Sequence, residues 1–349
     1  MEEIKNTPEN NETNEMPLDK NVRLMSPNQM LVRRFFRSKL SVLGLVMVIG
    51  LFLFCFVGPL FYTQWGETDL DKSGRVEYAT SEYTYTVDGV TYTARQATCT
   101  NWVDNSLSAP SSRHLLGTDD QGYDVLARLM YGGRVSLIVS FMTVFLMTLL
   151  GIIMGGIAGY FGGIVDDIIM RICDILMCLP GIPILLILSA AMDGWVKLEL
   201  IQEEMRIYIL MLFLTFISWS GIARLVRGQI LSLREQEFMV AAEAMGYSTG
   251  RKIFKHLIPN VMPQLIVQMS LSLGSMILYE ATLSYLNMGI KAPYTAWGSM
   301  INIITTNQDI LQNHLYVWVP AGVCIVIAVL GFNFVGDGLR DALDPKARR

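Results

Sequence analysis

The chain has 349 residues, 52% of them hydrophobic and 17% charged, with a net charge of −4. That composition is too apolar for a typical soluble domain and marks a polytopic membrane protein. Charge in such a chain is divided between the two sides of a bilayer, so the small net value carries no nucleic-acid footprint. Of the five cysteines, Cys55, Cys173, Cys178 and Cys324 fall in apolar segments and only Cys99 in a polar loop. A lone cysteine there cannot close an intrachain disulfide, so no disulfide framework is expected.

Residues 1–24 open with an acidic, Asn-rich run that lacks a hydrophobic core. They read as a disordered tail, with no cleavable signal peptide and the first apolar run serving for targeting. Residues 25–39 place Arg33, Arg34, Arg37 and Lys39 beside Leu31, Phe35 and Phe36, the pattern of a basic interfacial helix. Residues 40–66 carry no charge and exceed the length needed to cross ~30 Å of hydrocarbon. A long polar loop follows over 67–130, in which Val76 to Tyr92 alternate Tyr, Thr and Val around Asp88-Gly89. This predicts a β-hairpin insertion, spanning 76–95. The string HLLGTDDQGYDVLARLMYGGRVSL, residues 114–137, reads as a turn and an amphipathic helix lying at the interface.

From Val135 to Val165 there is again no charge, and Gly151, Gly155, Gly159 and Gly163 recur every fourth residue, a stripe suited to close helix packing. A third span is expected from about Ile168 to Met192, kinked by Pro180 and Pro183, with Arg171 and Asp174 spaced to pair. After a polar interruption, Asp193 to Arg206, a fourth span covers about Ile207 to Ala223.

The stretch Glu237 to Asn260 is polar, basic and helix-prone between apolar runs. Small residues Ala241, Ala242 and Ala244 make a short helix that a partner could approach closely, and Gly246 suits the left-handed residue that ends it. Arg251, Lys252, Lys255 and His256 then lead to Ile258-Pro259, where proline opens the next helix. The fifth span, about Val261 to Tyr285, contains Glu280, an ionisable group that must face a cavity or a partner. Residues Gly289 to His314 hold an interfacial helix with Tyr294 and Trp297 at headgroup level, and a sixth span runs from about Tyr316 to Val335 before a tail over 337–349. Eighteen of the 27 Lys and Arg residues fall on the side of the termini, placing both termini and the 236–260 loop in the cytoplasm.

Ala241-Ala242, Gly246 four residues on, and Ile258-Pro259 thirteen residues beyond that resemble the EAA loop of permease subunits in binding-protein-dependent ABC importers. Val240 stands where that family usually has Glu. The 114–137 string is similar to the GTDxxGRDVxSRLxxGxRxSL stretch of the C-type subunit of oligopeptide and dipeptide (peptide/nickel) permeases. Gly117, Thr118, Asp119, Gly122, Asp124, Val125, Arg128, Leu129, Gly132, Arg134, Ser136 and Leu137 are in place, with Tyr123 in the position of the usual Arg.

The resemblance implies an all-α polytopic protein of six transmembrane helices, with the type I ABC importer permease fold over 131–336 and the β-hairpin as an appended extracytoplasmic element. It implies a coupling helix in Phe238, Val240, Ala241, Ala242, Glu243, Ala244, Met245 and Gly246. Implied partners are a second related permease subunit, two cytosolic ATP-binding subunits, an extracytoplasmic substrate-binding protein that the hairpin could touch, and membrane lipid, in the plasma membrane of a bacterium. The sequence has no Gly-x-x-x-x-Gly-Lys-Ser/Thr string, so it holds no ATPase site and no cofactor is expected. Within this reading Glu280 either lines the translocation path or is a satisfied interhelical group. Nickel or another small solute is the alternative cargo, and an ion-coupled secondary transporter the alternative class.

Overall fold

The computed structural model describes residues 27–72, 78–99, 105–203, 205–291 and 293–343. The tail expected over 1–24, Val76 of the expected hairpin, and residues 344–349 lie outside that set. Within it the protein is a helical bundle with one two-stranded sheet. In chain order the elements are α1 (Pro27–Arg37), α2 (Lys39–Phe61), β1 (Tyr78–Val87), β2 (Val90–Cys99), α3 (Val125–Phe161), α4 (Gly163–Cys178) and α5 (Gly181–Lys197). They continue with α6 (Met205–Arg234), α7 (Glu237–Ala244), α8 (Thr249–Tyr285), α9 (Trp297–Thr306), α10 (Gln308–Asn313) and α11 (Leu315–Leu343). Among the described residues α2, α3, α6, α8 and α11 are long and apolar enough to cross a membrane. The pair α4 and α5, bent by 79°, adds a sixth crossing if taken as one span.

The bend has a local cause. Proline at 180 pushes Leu179 out of helical geometry, to φ −70 and ψ 131, and α5 restarts at Gly181. Pro183 causes no second kink, because it sits in the first turn of α5, where its missing N–H costs nothing. The β-hairpin turns at Asp88-Gly89, both with positive φ (52° and 81°), and pairs Tyr85 with Tyr92 across the ribbon. Its strands reach Cys99, beyond the expected 95.

Several expectations are corrected. The interfacial helix expected within 114–137 is the first part of α3: Asp124 caps that helix by accepting the Ala127 N–H at 2.7 Å, and the helix continues unbroken to Phe161. Gly163 does not extend the packing stripe; its φ of +54 places it in the break between α3 and α4. Arg171 does not take Asp174, which pairs with Arg224 of α6. Trp297 is not at a headgroup layer but fully buried, donating its Nε1–H to the Leu129 carbonyl at 2.9 Å. α6 runs eleven residues beyond Ala223, and α11 extends to Leu343. α8 begins at Thr249 rather than at Ile258-Pro259, because a π-helical turn over Lys252–Leu257 absorbs the donor that Pro259 lacks. The Asn260 side-chain amide donates to the His256 carbonyl at 2.7 Å in the same place.

The core is continuous through α3 and α8. At the hairpin end Cys55, Leu129, Leu137, Ile277, Trp297 and Phe332 join α2, α3, α8, α9 and α11. The middle joins α3 to α4, α5, α6 and α8, and the short-helix end joins α6, α7 and α8. α3 lies close on α6 along its glycine stripe. A side-chain carbon on Gly155 would overlap the Ala223 carbonyl oxygen, and Gly151 and Gly159 lie similarly against Ile222 and Ile230.

At the hairpin end, polar side chains tie the chain after α2 to the start of α3. His114, 1% exposed, sits between two buried carboxylates, with Nδ1 2.8 Å from Asp124 Oδ2 and Nε2 3.1 Å from Asp71 Oδ2. The Trp65 ring stacks on His114 at 4.5 Å, Arg113 reaches Asp71 at 3.0 Å, and Tyr62 donates to Asp124 at 3.0 Å. Burial, then the Asp124 charge beside it, pushes the Tyr62 phenol up to about 12. Glu67 accepts the Thr295 N–H at 3.0 Å, and burial raises its carboxyl above the usual range.

Two outcomes are expected. Gly155→Ala, which forces α3 and α6 apart, destabilises the protein by about 1–3 kcal/mol. Gly156→Ala on the same helix meets nothing closer than Ile230 Cδ1 at 3.8 Å and is tolerated; thermal unfolding of the two variants in detergent checks the contrast. His114→Phe leaves Asp71 and Asp124 buried without their shared partner, costing about 3–5 kcal/mol in the same assay.

Candidate functional site

α7 follows the last turn of α6 and packs on one face only, beside the first turns of α8. Met239 and Ala242 are buried against Ile230, Leu257 and Val261, with Phe238 half-buried beside them. Val240, Ala241, Glu243, Ala244 and Met245 face outward, Val240 and Met245 at 63% and 61% exposure. Phe254, in the π turn of α8, is 70% exposed and had no role in the sequence reading. Val240, Met245 and Phe254 are thus large apolar side chains left exposed near α7 and the start of α8.

The end of α7 is set by its glycine. Gly246 has φ +67; its N–H reaches the Glu243 carbonyl at 2.9 Å and the Tyr247 N–H reaches Ala242 at 3.1 Å. This is a Schellman motif, with both terminal carbonyls satisfied by a left-handed residue. Behind α7, ion pairs lock α6 to α4. Arg227 grips Asp166 with Nε and Nη2, both at 2.5 Å, and Arg224 pairs with Asp174. Arg234 Nη1 donates to the Gly159 and Tyr160 carbonyls at 3.3 and 3.4 Å, capping α3. α7 thus follows directly on a helix, α6, that is tied to both α3 and α4.

Glu280 is 3% exposed and turned into the bundle. Ser284 Oγ donates to its Oε1 at 2.7 Å, while Oε2 has no hydrogen-bond partner among the described residues. The open polar surface lies elsewhere on α8. A cavity of about 310 Å³ is lined by Gln268, Ser272, Ser275 and Tyr279 together with the apolar Met147 and Ile222, among others. A second, of about 560 Å³, is lined by Asn260, Gln264, Gln268 and Arg340 among others. The polar side chains of α8 among these recur every three or four residues along an apolar helix. That signal is visible in the sequence, but the lone carboxylate at 280 drew the reading away from it. A third cavity, of about 350 Å³ at the hairpin end, is lined by Asp119, Asp120, Arg128, Asn287 and Lys291 among others. Burial and the neighbouring Asp119 charge raise the Asp120 carboxyl, while Arg128 pairs with Asp119 and Lys291 reaches Asp193 at 2.5 Å.

Residues 147–349 match the family described as the binding-protein-dependent transport system inner membrane component, and residues 26–74 match the N-terminal transmembrane domain of oligopeptide transport permease C. The oligopeptide transport system permease protein OppC of Bacillus subtilis is 34% identical over 319 residues, covering 90% of this chain and 88% of that protein. The dipeptide transport system permease protein DppC of Alkalihalophilus pseudofirmus is 33% identical over 337 residues, covering 97% and 96%. Another DppC, from Bacillus subtilis, is 34% identical over 317 residues, covering 91% and 85%. These matches span both ends of the bundle, from the basic helix α1 to the last turn of α11. The chain belongs to the family of inner-membrane permease components of binding-protein-dependent transport systems, as a C-type subunit.

Proposed function

We propose that this chain is one half of the translocation unit of an ATP-driven importer for oligopeptides or dipeptides, and that α7 is the helix through which ATP hydrolysis in partner subunits drives it. The observation that carries the reading is α7 itself, a short helix with one buried and one open face, held outside the bundle and locked to α6 and α8. The cargo class is supported by the relatives, whose names are those of oligopeptide and dipeptide permeases.

In this reading Phe238, Val240, Ala241, Ala242, Glu243, Ala244, Met245 and Gly246 form the coupling element. Its small residues let the ATP-binding subunit close onto the helix backbone, and Val240 and Met245 enter that subunit's groove. Nucleotide-driven closure of two such subunits moves α7 as a rigid body, and the α6 ion pairs carry the motion to α4. The distribution of Lys and Arg supports a bacterial plasma-membrane topology with both termini cytoplasmic and the hairpin outside. A second, related permease completes the path, and a substrate-binding protein delivers cargo from the hairpin side. Glu280, inward-turned on the helix that carries the cavities, belongs to the inner support of the path wall.

Three outcomes test this. Single cysteines through Phe238 to Met245, cross-linked in membranes to the co-purifying ATP-binding subunit, give a helical pattern that changes with nucleotide; failure to capture that subunit at any position overturns the coupling assignment. Gly246→Val strains the left-handed turn by ~1–3 kcal/mol and abolishes ATP-driven uptake with normal membrane insertion. With open space around the Gly246 position, Gly246→Asn, tolerant of positive φ, retains most uptake. Glu280→Gln alters uptake kinetics but leaves cross-linking at α7 intact; unchanged kinetics confine Glu280 to packing.

A further inference from the structure

Along α8, Asn260, Gln264, Gln268, Ser272, Ser275 and Tyr279 are spaced by four, four, four, three and four residues, so they form one stripe on a single face. At ~1.5 Å per residue the stripe is about 28 Å long, close to the thickness of the hydrocarbon core. Polar groups at that depth are tolerated only where protein or a water-filled cavity meets them. Here they are met by cavities: the two spaces of about 310 and 560 Å³ both open on this face and share Gln268 as a lining residue.

The chemistry of the stripe is uniform. It contains no carboxylate and no ammonium, and among the described residues the one charge lining either cavity is Arg340, at the short-helix end. Asparagine, glutamine, serine and tyrosine side chains each offer both a donor and an acceptor. Some of that capacity is spent internally: Gln268 Nε2 donates to Ser272 Oγ at 3.5 Å, and Ser275 Oγ to the Leu271 carbonyl at 3.4 Å. The Gln264 amide is exposed, with no hydrogen bond among the described residues. Groups spaced three to four residues apart on a helix repeat at about 5–6 Å. The main-chain groups on one side of an extended peptide repeat at about 6.6–6.8 Å, two residues at a time.

A concave, neutral stripe differs from the surfaces this protein uses to pack helices, where Gly151, Gly155 and Gly159 bring backbones together. Its far end is closed by Tyr279, whose hydroxyl would lie 3.0 Å from a side-chain carbon on Gly181, next to the α4–α5 bend.

We propose that the Asn260–Tyr279 face of α8 is the wall that contacts cargo, and that it holds the peptide main chain through neutral hydrogen bonds. The wall leaves the peptide's side chains unread and makes this half of the path indifferent to cargo charge. The proposal rests on the peptide-importer reading above and deepens it.

The test uses the whole transporter, co-purified from membranes with its partners and reconstituted in vesicles, with labelled Ala-Ala-Ala, Ala-Glu-Ala and Ala-Lys-Ala as cargo. Gln264→Leu/Gln268→Leu lowers uptake of all three together by about tenfold or more, the factor expected for two lost hydrogen bonds of about 0.5–1.5 kcal/mol each, while ATP hydrolysis stimulated by loaded binding protein persists. Gln268→Glu favours Ala-Lys-Ala over Ala-Glu-Ala several-fold, and Gln268→Lys reverses the order. Unchanged uptake of all three peptides in these variants would overturn the proposal. So would loss of the second permease from the purified Gln268→Leu complex, which would make the face a subunit contact. A wild-type complex that hydrolyses ATP but moves none of the three peptides would instead remove the peptide reading, and the proposal with it.

Discussion

The crossing of α3 and α6 is the constraint on which the rest of the bundle depends. Gly155 allows the two backbones to meet at Ala223 where any side chain would collide with a carbonyl oxygen. In an apolar solvent there is no hydrophobic drive between helices, so contact of this closeness is what dispersion forces need to hold them. Once α6 is fixed on α3, its last turns lie beside the end of α3, with Ile230 against Gly159. Arg234 then caps α3, Arg227 and Arg224 reach across to α4, and α7 leaves from a determined point.

A polar group remote from water is costly unless protein or a cavity meets it. Glu280 meets Ser284 through one oxygen only, while the amides and hydroxyls on the other face of the same helix line cavities. α8 thus separates an inner, buried carboxylate from an outer face of neutral polar groups. The π turn at Lys252–Leu257 accommodates Pro259 without a break, so α8 stays one rod from the α7 surface to the far side of the bundle.

The hairpin end is built on the opposite principle. Asp71, His114 and Asp124 bury charge completely but satisfy it from several directions, and Trp65 and Tyr62 seal the cluster. Buried networks that are fully bonded hold one geometry and are costly to open. One end of the molecule is therefore cross-braced by polar contacts between segments distant in sequence, while the other presents a short helix whose outer face is uncommitted.

Local periodicity and composition determined the helical class, the number of apolar runs, the hairpin turn at Asp88-Gly89, the break at Pro180 and the left-handed Gly246. Each follows from properties of a few adjacent residues: φ preference, the missing proline N–H, or the length of an uncharged run. The short helix α7 and its glycine end were legible for the same reason, as a polar segment enclosed by apolar ones. Tertiary structure alone decided which neighbour each charge takes. Asp174 chose Arg224 over Arg171, and His114 found Asp71 and Asp124 across 43 and 10 residues of chain. It also decided that Trp297 is core, that three of the four recurrent glycines pack, and that Glu280 points inward while Gln268 points into a cavity. Spacing along a helix states which residues share a face; only the packing of the other helices decides what that face meets.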